Sequence, residues 1–184
     1  EPRIQPGGNL IRTFANAPEA IVAGVELEVR KELAFLSREL RGVTVGGNFS
    51  YIYSRVDLTG VSGVQTSTVR PLAGQSPYVV NAFAEYEVPD SGFSIRAQYN
   101  VFGARLDQVA ALGLQDRYQQ PRHLLDITAS QRLGKSGFTL RLAGRNLIDS
   151  PVLVTQEDPT TKEQKVAARY QTGRIVNLAL SYNY

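Results

Sequence analysis

The chain has 184 residues, with 16 Gly, 9 Pro, 9 Tyr and 7 Phe, and it contains no Cys, Met or Trp. The absence of cysteine excludes disulfides, cysteine-ligated metal sites and thiol chemistry, and a single histidine, His123, leaves little for a metal site or a catalytic triad. The net charge of +3 is too small and dispersed to indicate nucleic acid, and no run approaches the roughly 18 apolar residues of a transmembrane helix. Because the chain starts at Glu1 and not at Met, we expect a processed product or a piece of a longer protein.

Apolar residues alternate with polar ones along most of the chain, which is typical of β-strands that have one apolar and one polar face. This period predicts seven strands, in chain order at 25–30, 43–53, 80–88, 93–101, 124–133, 138–145 and 176–184. The segment 29–40 does not follow the alternation, since its leucines have helical spacing. The sequence is compatible there with either a helical turn or a continuation of the strand.

The connections between these strands alternate in length. Short segments of tight-turn composition lie near 37–42, 89–92 and 134–137, whereas long polar loops are predicted at 57–77, 103–121 and 149–168. Short turns at one end and long loops at the other are typical of a meander inserted across a membrane.

Alternating strands suit either a soluble sandwich, whose apolar face is the core, or an outer-membrane barrel, whose apolar face meets lipid. Three features favour the barrel: aromatic residues at the turn-side ends of the apolar face (Phe93, Phe138, Tyr182 and Tyr184), a polar face of mixed charge, and apolar registers of about 9–11 residues, the length that a tilted strand needs to cross a bilayer. The asymmetry of the loops does most to separate the two interpretations. An odd number of strands cannot close a bacterial single-chain barrel, so we expect further strands. The apolar residues would then face lipid, and the chain would have no core of its own.

This interpretation assigns one set of side chains to the barrel lumen, where they would contact a plug or a solute. The predicted lumen-lining residues are Glu26, Glu28, Arg30, Asn48, Asn81, Glu85, Glu87, Arg96, Gln98, Asp126, Arg132, Arg141, Arg145 and Asn177. Leu178, Leu180, Tyr182 and Tyr184 are predicted to face lipid or to form a C-terminal assembly signal.

Several runs of the chain resemble a known family. They are 20–28 (AIVAGVELE), 47–54 (GNFSYIYS), 70–81 (RPLAGQSPYVVN), 99–101 (YNV), 120–126 (QPRHLLD), 145–149 (RNLID) and 173–184. In this order and spacing they resemble the C-terminal barrel of TonB-dependent outer-membrane receptors, and most closely the large receptors of the carboxypeptidase-regulatory-like group.

The resemblance implies that residues 1–184 are the C-terminal segment of a barrel of about 22 strands, with an N-terminal plug and the earlier strands outside this sequence. It also implies TonB-dependent uptake of a scarce ligand, a TonB contact through the N-terminal part, and recognition of the final aromatic residues by the outer-membrane assembly machinery. The expected location is the bacterial outer membrane, with the long loops and residues 1–10 extracellular and the C-terminus periplasmic. The expected partners are outer-membrane lipid, the plug and the remaining strands, and not nucleic acid.

The candidate chemical sites each have a simpler structural interpretation. Glu26 and Glu28 have the separation of a glycosidase carboxylate pair. The favoured interpretation is that they are lumen carboxylates that pair with basic residues of the plug or of a neighbouring strand. The lumen arginines could guide anionic solutes, although salt-bridge roles are favoured. His123 is interpreted as a rim residue, and loop 149–168 as a solvated loop, not a ligand or calcium site.

No enzyme activity and no cofactor are therefore predicted. The alternatives to a receptor are a structural or adhesive surface barrel without transport, and a soluble all-β enzyme or binding module.

Overall fold

The computed structural model describes residues 2–4, 10–12, 17–60, 64–88 and 90–183, so that Tyr184 and part of the predicted N-terminal loop lie outside them. Nearly all regular structure is β-strand. In chain order the strands are β1 (Pro2–Ile4), β2 (Leu10–Arg12), β3 (Glu19–Glu32), β4 (Val43–Asp57), β5 (Val69–Arg70), β6 (Tyr78–Val88), β7 (Phe93–Phe102), β8 (Arg105–Gln108), β9 (Arg117–Gln119), β10 (Arg122–Arg132), β11 (Phe138–Arg145), β12 (Val152–Glu157), β13 (Gln164–Tyr170) and β14 (Ile175–Tyr182). Among the described residues, no helix is long and apolar enough to cross a membrane.

Seven of these strands form one antiparallel sheet in the order β14-β11-β10-β7-β6-β4-β3, with the short β5 beside β4. They are the seven strands predicted from alternation, so the all-β antiparallel meander is confirmed. The sheet is open, because β3 and β14 are its two ends in the described part of the chain.

Two strands are longer than alternation predicts. β3 starts at Glu19 and β4 continues to Asp57, and the two strands pair over this whole length, from Glu19↔Asp57 to Glu32↔Thr44. Residues 20–23 (AIVA) are apolar at every position, so they carry no period-two signal. The partner strand, and not local alternation, defines this part of β3.

The predicted asymmetry of the connections is present. Successive long strands run in opposite directions, so the short connections 33–42, 89–92 and 133–137 share one end of the sheet, and the long connections 58–77, 103–121 and 146–174 share the other. Gly92 shows how tight the short turns are, because it has a φ of 65° and a Cβ there would lie 2.7 Å from Cβ of Arg132.

The segment 29–40 contains both of the structures that its sequence left open. β3 continues to Glu32, and two short 3-10 turns follow, η1 (Leu33–Phe35) and η2 (Arg38–Leu40). The Oγ of Ser37 accepts a hydrogen bond from the N–H of Glu39 at 3.3 Å, and the Oε1 of Glu32 accepts one from the N–H of Gly42 at 3.3 Å. These two bonds satisfy backbone donors in the turn and hold it closed.

The long connections are not simple polar loops, and in this respect the sequence prediction is wrong. They contribute a second antiparallel sheet of four strands in the order β13-β12-β9-β8. In addition, 58–77 and 103–121 are joined by backbone hydrogen bonds from Thr66 N to Ala110 O at 3.2 Å and from Gly74 N to Leu106 O at 2.8 Å. The connections at this end therefore fold together as one unit.

The expectation that the chain has no core of its own is also wrong. Apolar residues buried to 8% exposure or less lie within the long connections or at the strand ends that lead into them. They are Val56, Leu58, Val101, Leu106, Ala110, Ala111, Val152 and Val154. By contrast, every residue of β3 and β14 is exposed. We call these buried residues the connection core. It contains Leu58 (1% exposed) and Leu106 (0% exposed), the only large side chains among the described residues that are almost completely buried.

Leu106→Ala should lower the free energy of unfolding by about 2–5 kcal/mol, because it removes a buried side chain and leaves a cavity. Leu114→Ala, at a residue that is 52% exposed in the same connection, is the matched control and should cost less than about 0.5 kcal/mol. Urea titration of the native protein in detergent measures both values. Equal losses for the two variants would contradict a packed connection core.

Candidate functional site

One continuous register assigns every residue of the main sheet to a face. Directly paired residues of antiparallel strands project to the same side, and alternate residues along a strand project to the same side. Starting from Glu28, the pairs are Glu28↔Asn48, Asn48↔Asn81 and Asn81↔Asn100, and the same parity continues through β10, β11 and β14. All fourteen residues predicted to line a lumen lie on this polar face of the sheet.

The central part of the opposite face is apolar across all seven strands, with charged residues only toward its ends, as at Lys31 and Arg55. Leu178 and Leu180 pair on this face with Leu142 and Leu140. Aromatic residues form a band on this face near the short turns, where the rings of Phe138 and Tyr182 lie 4.9 Å apart. The other described members of this turn-side band are Tyr86 and Phe93.

A second aromatic band, which the sequence analysis missed, lies on the same apolar face toward the long connections. Its members are Tyr51, Tyr53, Tyr78 and Tyr99. Tyr51 and Tyr78 are direct cross-strand partners. The signal in the sequence is a tyrosine at matching distance from the turn in successive strands, which becomes visible only after the register is known.

Three asparagines form a hydrogen-bonded ladder across the polar face. The amide nitrogen of Asn81 donates to Oδ1 of Asn48 at 2.7 Å, and the amide nitrogen of Asn100 donates to Oδ1 of Asn81 at 2.6 Å. Asn48 and Asn81 were predicted to lie on this face, whereas Asn100 was not among the predicted lumen-lining residues. The ladder links β4, β6 and β7 and presents a neutral row of amides.

An aromatic ring interrupts the polar face next to this ladder. A Cβ at Gly46 would lie 2.7 Å from the ring of Phe83, so the absence of a side chain at Gly46 makes room for the ring. The guanidinium carbons of Arg96 and Arg30 lie 4.1 Å and 5.8 Å from the centroid of this ring. Phe83 is therefore held between two predicted site arginines by cation–π contacts.

The charges of the polar face are divided between its two sides. Carboxylates dominate the side formed by β3 and β6, and arginines dominate the side formed by β10 and β11. The carboxylates are Glu26, Glu28, Glu32, Glu85 and Glu87, and the arginines are Arg122, Arg132, Arg141 and Arg145. Arg30 and Asp126 are the exceptions, and the two sides meet where Arg96 NH1 lies 3.8 Å from Oε2 of Glu85.

One predicted site residue, Asp126, has a structural role. Its Oδ1 accepts the backbone N–H of Asn146 at 2.9 Å. Asn146 is buried, and its amide nitrogen donates to the carbonyl of Gly173 at 2.7 Å while its Oδ1 accepts the N–H of Ser150 at 3.2 Å. The motif RNLID therefore fastens the end of β11 to β10 and to the segment that enters β14.

Two of the remaining candidates, Glu26 and His123, have neutral hydrogen-bond partners. Glu26 accepts a hydrogen bond from the Oγ of Ser50 at 3.3 Å. His123 lies on the apolar face, where its Nδ1 is hydrogen-bonded to the hydroxyl of Tyr99. No group of three or more side chains suited to a metal ion occurs in the described part of the chain.

The connection predicted at 149–168 forms the hairpin of β12 and β13. At its tip, a hydrogen bond from Lys165 and those from the backbone N–H groups of Thr161 and Thr160 lower the pKa of Asp158. Lys162 lies 3.5 Å from a carboxylate oxygen of Glu157. The carboxylates of Glu157 and Asp158 are therefore engaged with the hairpin itself.

The family model "TonB dependent receptor-like, beta-barrel" matches residues 2–147. The chain belongs to this family, which confirms the resemblance drawn from its sequence. The family comprises outer-membrane receptors and transporters, and it implies association with the bacterial outer membrane, a plug domain and TonB. No curated protein and no solved structure matches the chain.

Asn146→Gly should lower the free energy of unfolding by about 1–3 kcal/mol, because buried hydrogen bonds are lost while the backbone remains unstrained. Asn146 has a φ of 52°, and Asp149, in the same turn, has a φ of 49°. Asp149→Gly is therefore the matched control and should stay within about 0.5 kcal/mol of wild type. Urea titrations measure both free energies of unfolding. Equal losses for the two variants would show that the hydrogen bonds of the Asn146 side chain do not stabilise the junction of β11, β10 and the segment before β14.

Proposed function

We propose that this chain is part of the wall of a closed outer-membrane barrel that imports a scarce ligand in a TonB-dependent manner. The polar face lines the lumen, the apolar face meets lipid, the long connections are extracellular, and the short turns and the C-terminus are periplasmic. Residues 1–184 form the C-terminal segment of this barrel, and the plug and the other strands pair with it or fill it. The outer-membrane assembly machinery recognises Tyr182 and Tyr184 as a C-terminal signal.

The observation that carries this proposal is the register. It gathers all the predicted polar residues on one face and leaves two aromatic bands on the other. Two aromatic bands that flank an apolar zone match the two interfaces of a bilayer. A soluble sandwich would instead cover such a face with a second layer, whereas residues such as Leu178 (71% exposed) and Val176 (70%) are uncovered.

The divided charge of the polar face supports a polar occupant of the lumen. Carboxylates on β3 and β6 favour cationic groups of a plug or solute, and arginines on β10 and β11 favour anionic groups. Such a wall orients a bound protein domain, because a rotated domain would bring like charges together. The partly exposed Arg96–Glu85 contact at the boundary between the two sides contributes little energy by itself.

Leu178→Arg should lower the free energy of unfolding by about 2–4 kcal/mol in a bilayer, because a lipid-facing arginine must be buried in hydrocarbon. Asn177→Arg, one residue earlier on the opposite face, is the matched control and should cost much less. The measurement is urea unfolding of the native protein in lipid vesicles. Equal costs at the two positions would overturn the assignment of the two faces.

The arginines of the basic side give a test of function. If Arg141 and Arg145 hold a plug, the native protein in a planar bilayer should conduct little current until urea releases the plug. The double variant Arg141→Glu/Arg145→Glu should then open at a lower urea concentration than wild type, whereas Arg169→Glu on β13, outside the main sheet, should not.

A barrel that conducts freely without urea would contradict the plugged receptor. It would favour a surface barrel without TonB-dependent transport.

A further inference from the structure

The strands of the second sheet follow the strand order of the main sheet. β8 follows β7 across residues 103–104, β9 precedes β10 across 120–121, β12 follows β11 across 146–151, and β13 precedes β14 across 171–174. The order β13-β12-β9-β8 therefore repeats the order β14-β11-β10-β7, strand by strand. Each strand of the second sheet continues one strand of the main sheet beyond its long-connection end.

Backbone hydrogen bonds bridge the gap between the two sheets. Just beyond the last pair of β10 and β11, the N–H of Leu147 donates to the carbonyl of Leu125 at 2.8 Å. Next to the first pair of β9 and β12, the N–H of Gln120 donates to the carbonyl of Leu153 at 2.8 Å. The two runs of chain thus remain neighbours between the sheets, and the second sheet extends the main sheet.

β13 is an edge of the second sheet, just as β14 is an edge of the main sheet. Among the described residues each pairs on one side only, β13 with β12 and β14 with β11, and all of their residues are exposed. The link 171–174 is held to the main sheet, since the amide nitrogen of Asn146 donates to the carbonyl of Gly173 at 2.7 Å. The two edges therefore follow one another on the same side of the extended sheet, and each leaves a row of N–H and C=O groups without a strand partner.

The opposite border of the main sheet shows that strand pairing in this protein reaches beyond a bilayer crossing. β3 pairs with β4 along all of its 14 residues, up to the pair Glu19↔Asp57 at the long-connection end. A tilted strand needs only about 9–11 residues to cross the hydrocarbon layer. In the proposed barrel, the paired wall at this border therefore continues outside the bilayer.

We propose that the strand that closes the barrel against β14 also continues outside the bilayer and pairs with β13. This inference rests on the closed barrel proposed above, in which β14 has a partner because an open edge is not stable in lipid. The closing strand then lies along the stretch 164–182, about twice the length of a bilayer crossing. The occupant of the β13 edge is thus the barrel's own first strand, and the β-sheet wall continues around this part of the lumen entrance.

Hydrogen–deuterium exchange of the native protein in detergent, followed by mass spectrometry, tests this pairing without knowledge of the closing strand's sequence. Successive N–H groups of a strand point to opposite sides, so an edge strand protects only about half of its amides. With a partner on both sides, β13 should exchange as slowly as β12, which lies between β13 and β9. The slow exchange should persist on dilution. Protection that requires a high protein concentration would assign the edge to a second copy and overturn the proposal.

The same measurement separates this inference from the proposed function. If about half of the amides of β13 exchange rapidly while those of β14 are slow, the barrel is closed and the inference is wrong. Rapid exchange of about half of the amides of β14 would instead contradict the closed barrel itself, together with the inference that rests on it.

Two adjacent proline variants give a second readout. Ala168 and Arg169 lie in the regular part of β13, opposite Val154 and Leu153, and their N–H groups point to opposite sides. Ala168→Pro and Arg169→Pro each remove one N–H, so one variant loses a bond to β12 and the other loses a bond to the closing strand. Both should raise the exchange rate of the remaining β13 amides about tenfold or more. A wild-type rate in either variant would show that the edge of β13 is free, since proline is tolerated where an edge N–H faces solvent.

Discussion

The structure depends on one constraint, the unbroken register of the seven-strand sheet. Side chains alternate with a period of two, so a slip of one residue at any strand pair would transfer every residue of the following strands to the other face. In the described part of the chain, none of the six pairings that join the seven strands contains a register shift, whereas the four-stranded sheet contains two. The same regularity keeps charges off the central apolar face and collects them on the other.

The register also explains which parts of the fold were predictable. All seven long strands were found from the sequence because each has one apolar and one polar face and so keeps a clear alternation between apolar and polar residues. The first half of β3 carries apolar residues at successive positions, and its structure comes from β4. The strands of the second sheet were missed because they are short and pair across distant segments, as where Arg117–Gln119 lies between β8 and β12. Such pairings leave no local period to detect.

For the candidate site, the sequence predicted the face of each polar residue but not its partners. The asparagine ladder requires Asn48, Asn81 and Asn100 to lie side by side, which depends on the register of three strands. The role of Asp126 depends on Asn146, a residue 20 positions away that turns back onto β10. Phe83 has a place among charged residues only because its neighbour on β4 is a glycine. The contacts that decide a role are therefore non-local even where the face is a local property.

The two sheets differ in what stabilises them, and this difference bears on ligand capture. The main sheet has few buried side chains of its own, and in the proposed barrel its apolar face meets a bilayer and its edges pair with neighbouring strands. The connections, by contrast, have a core around Leu58 and Leu106 and backbone bonds that join one connection to the next. Because they fold as one unit, they lose less conformational entropy on binding than separate flexible loops would. In the proposed receptor this order would favour ligand capture, since a preformed surface gives tighter binding for the same contacts.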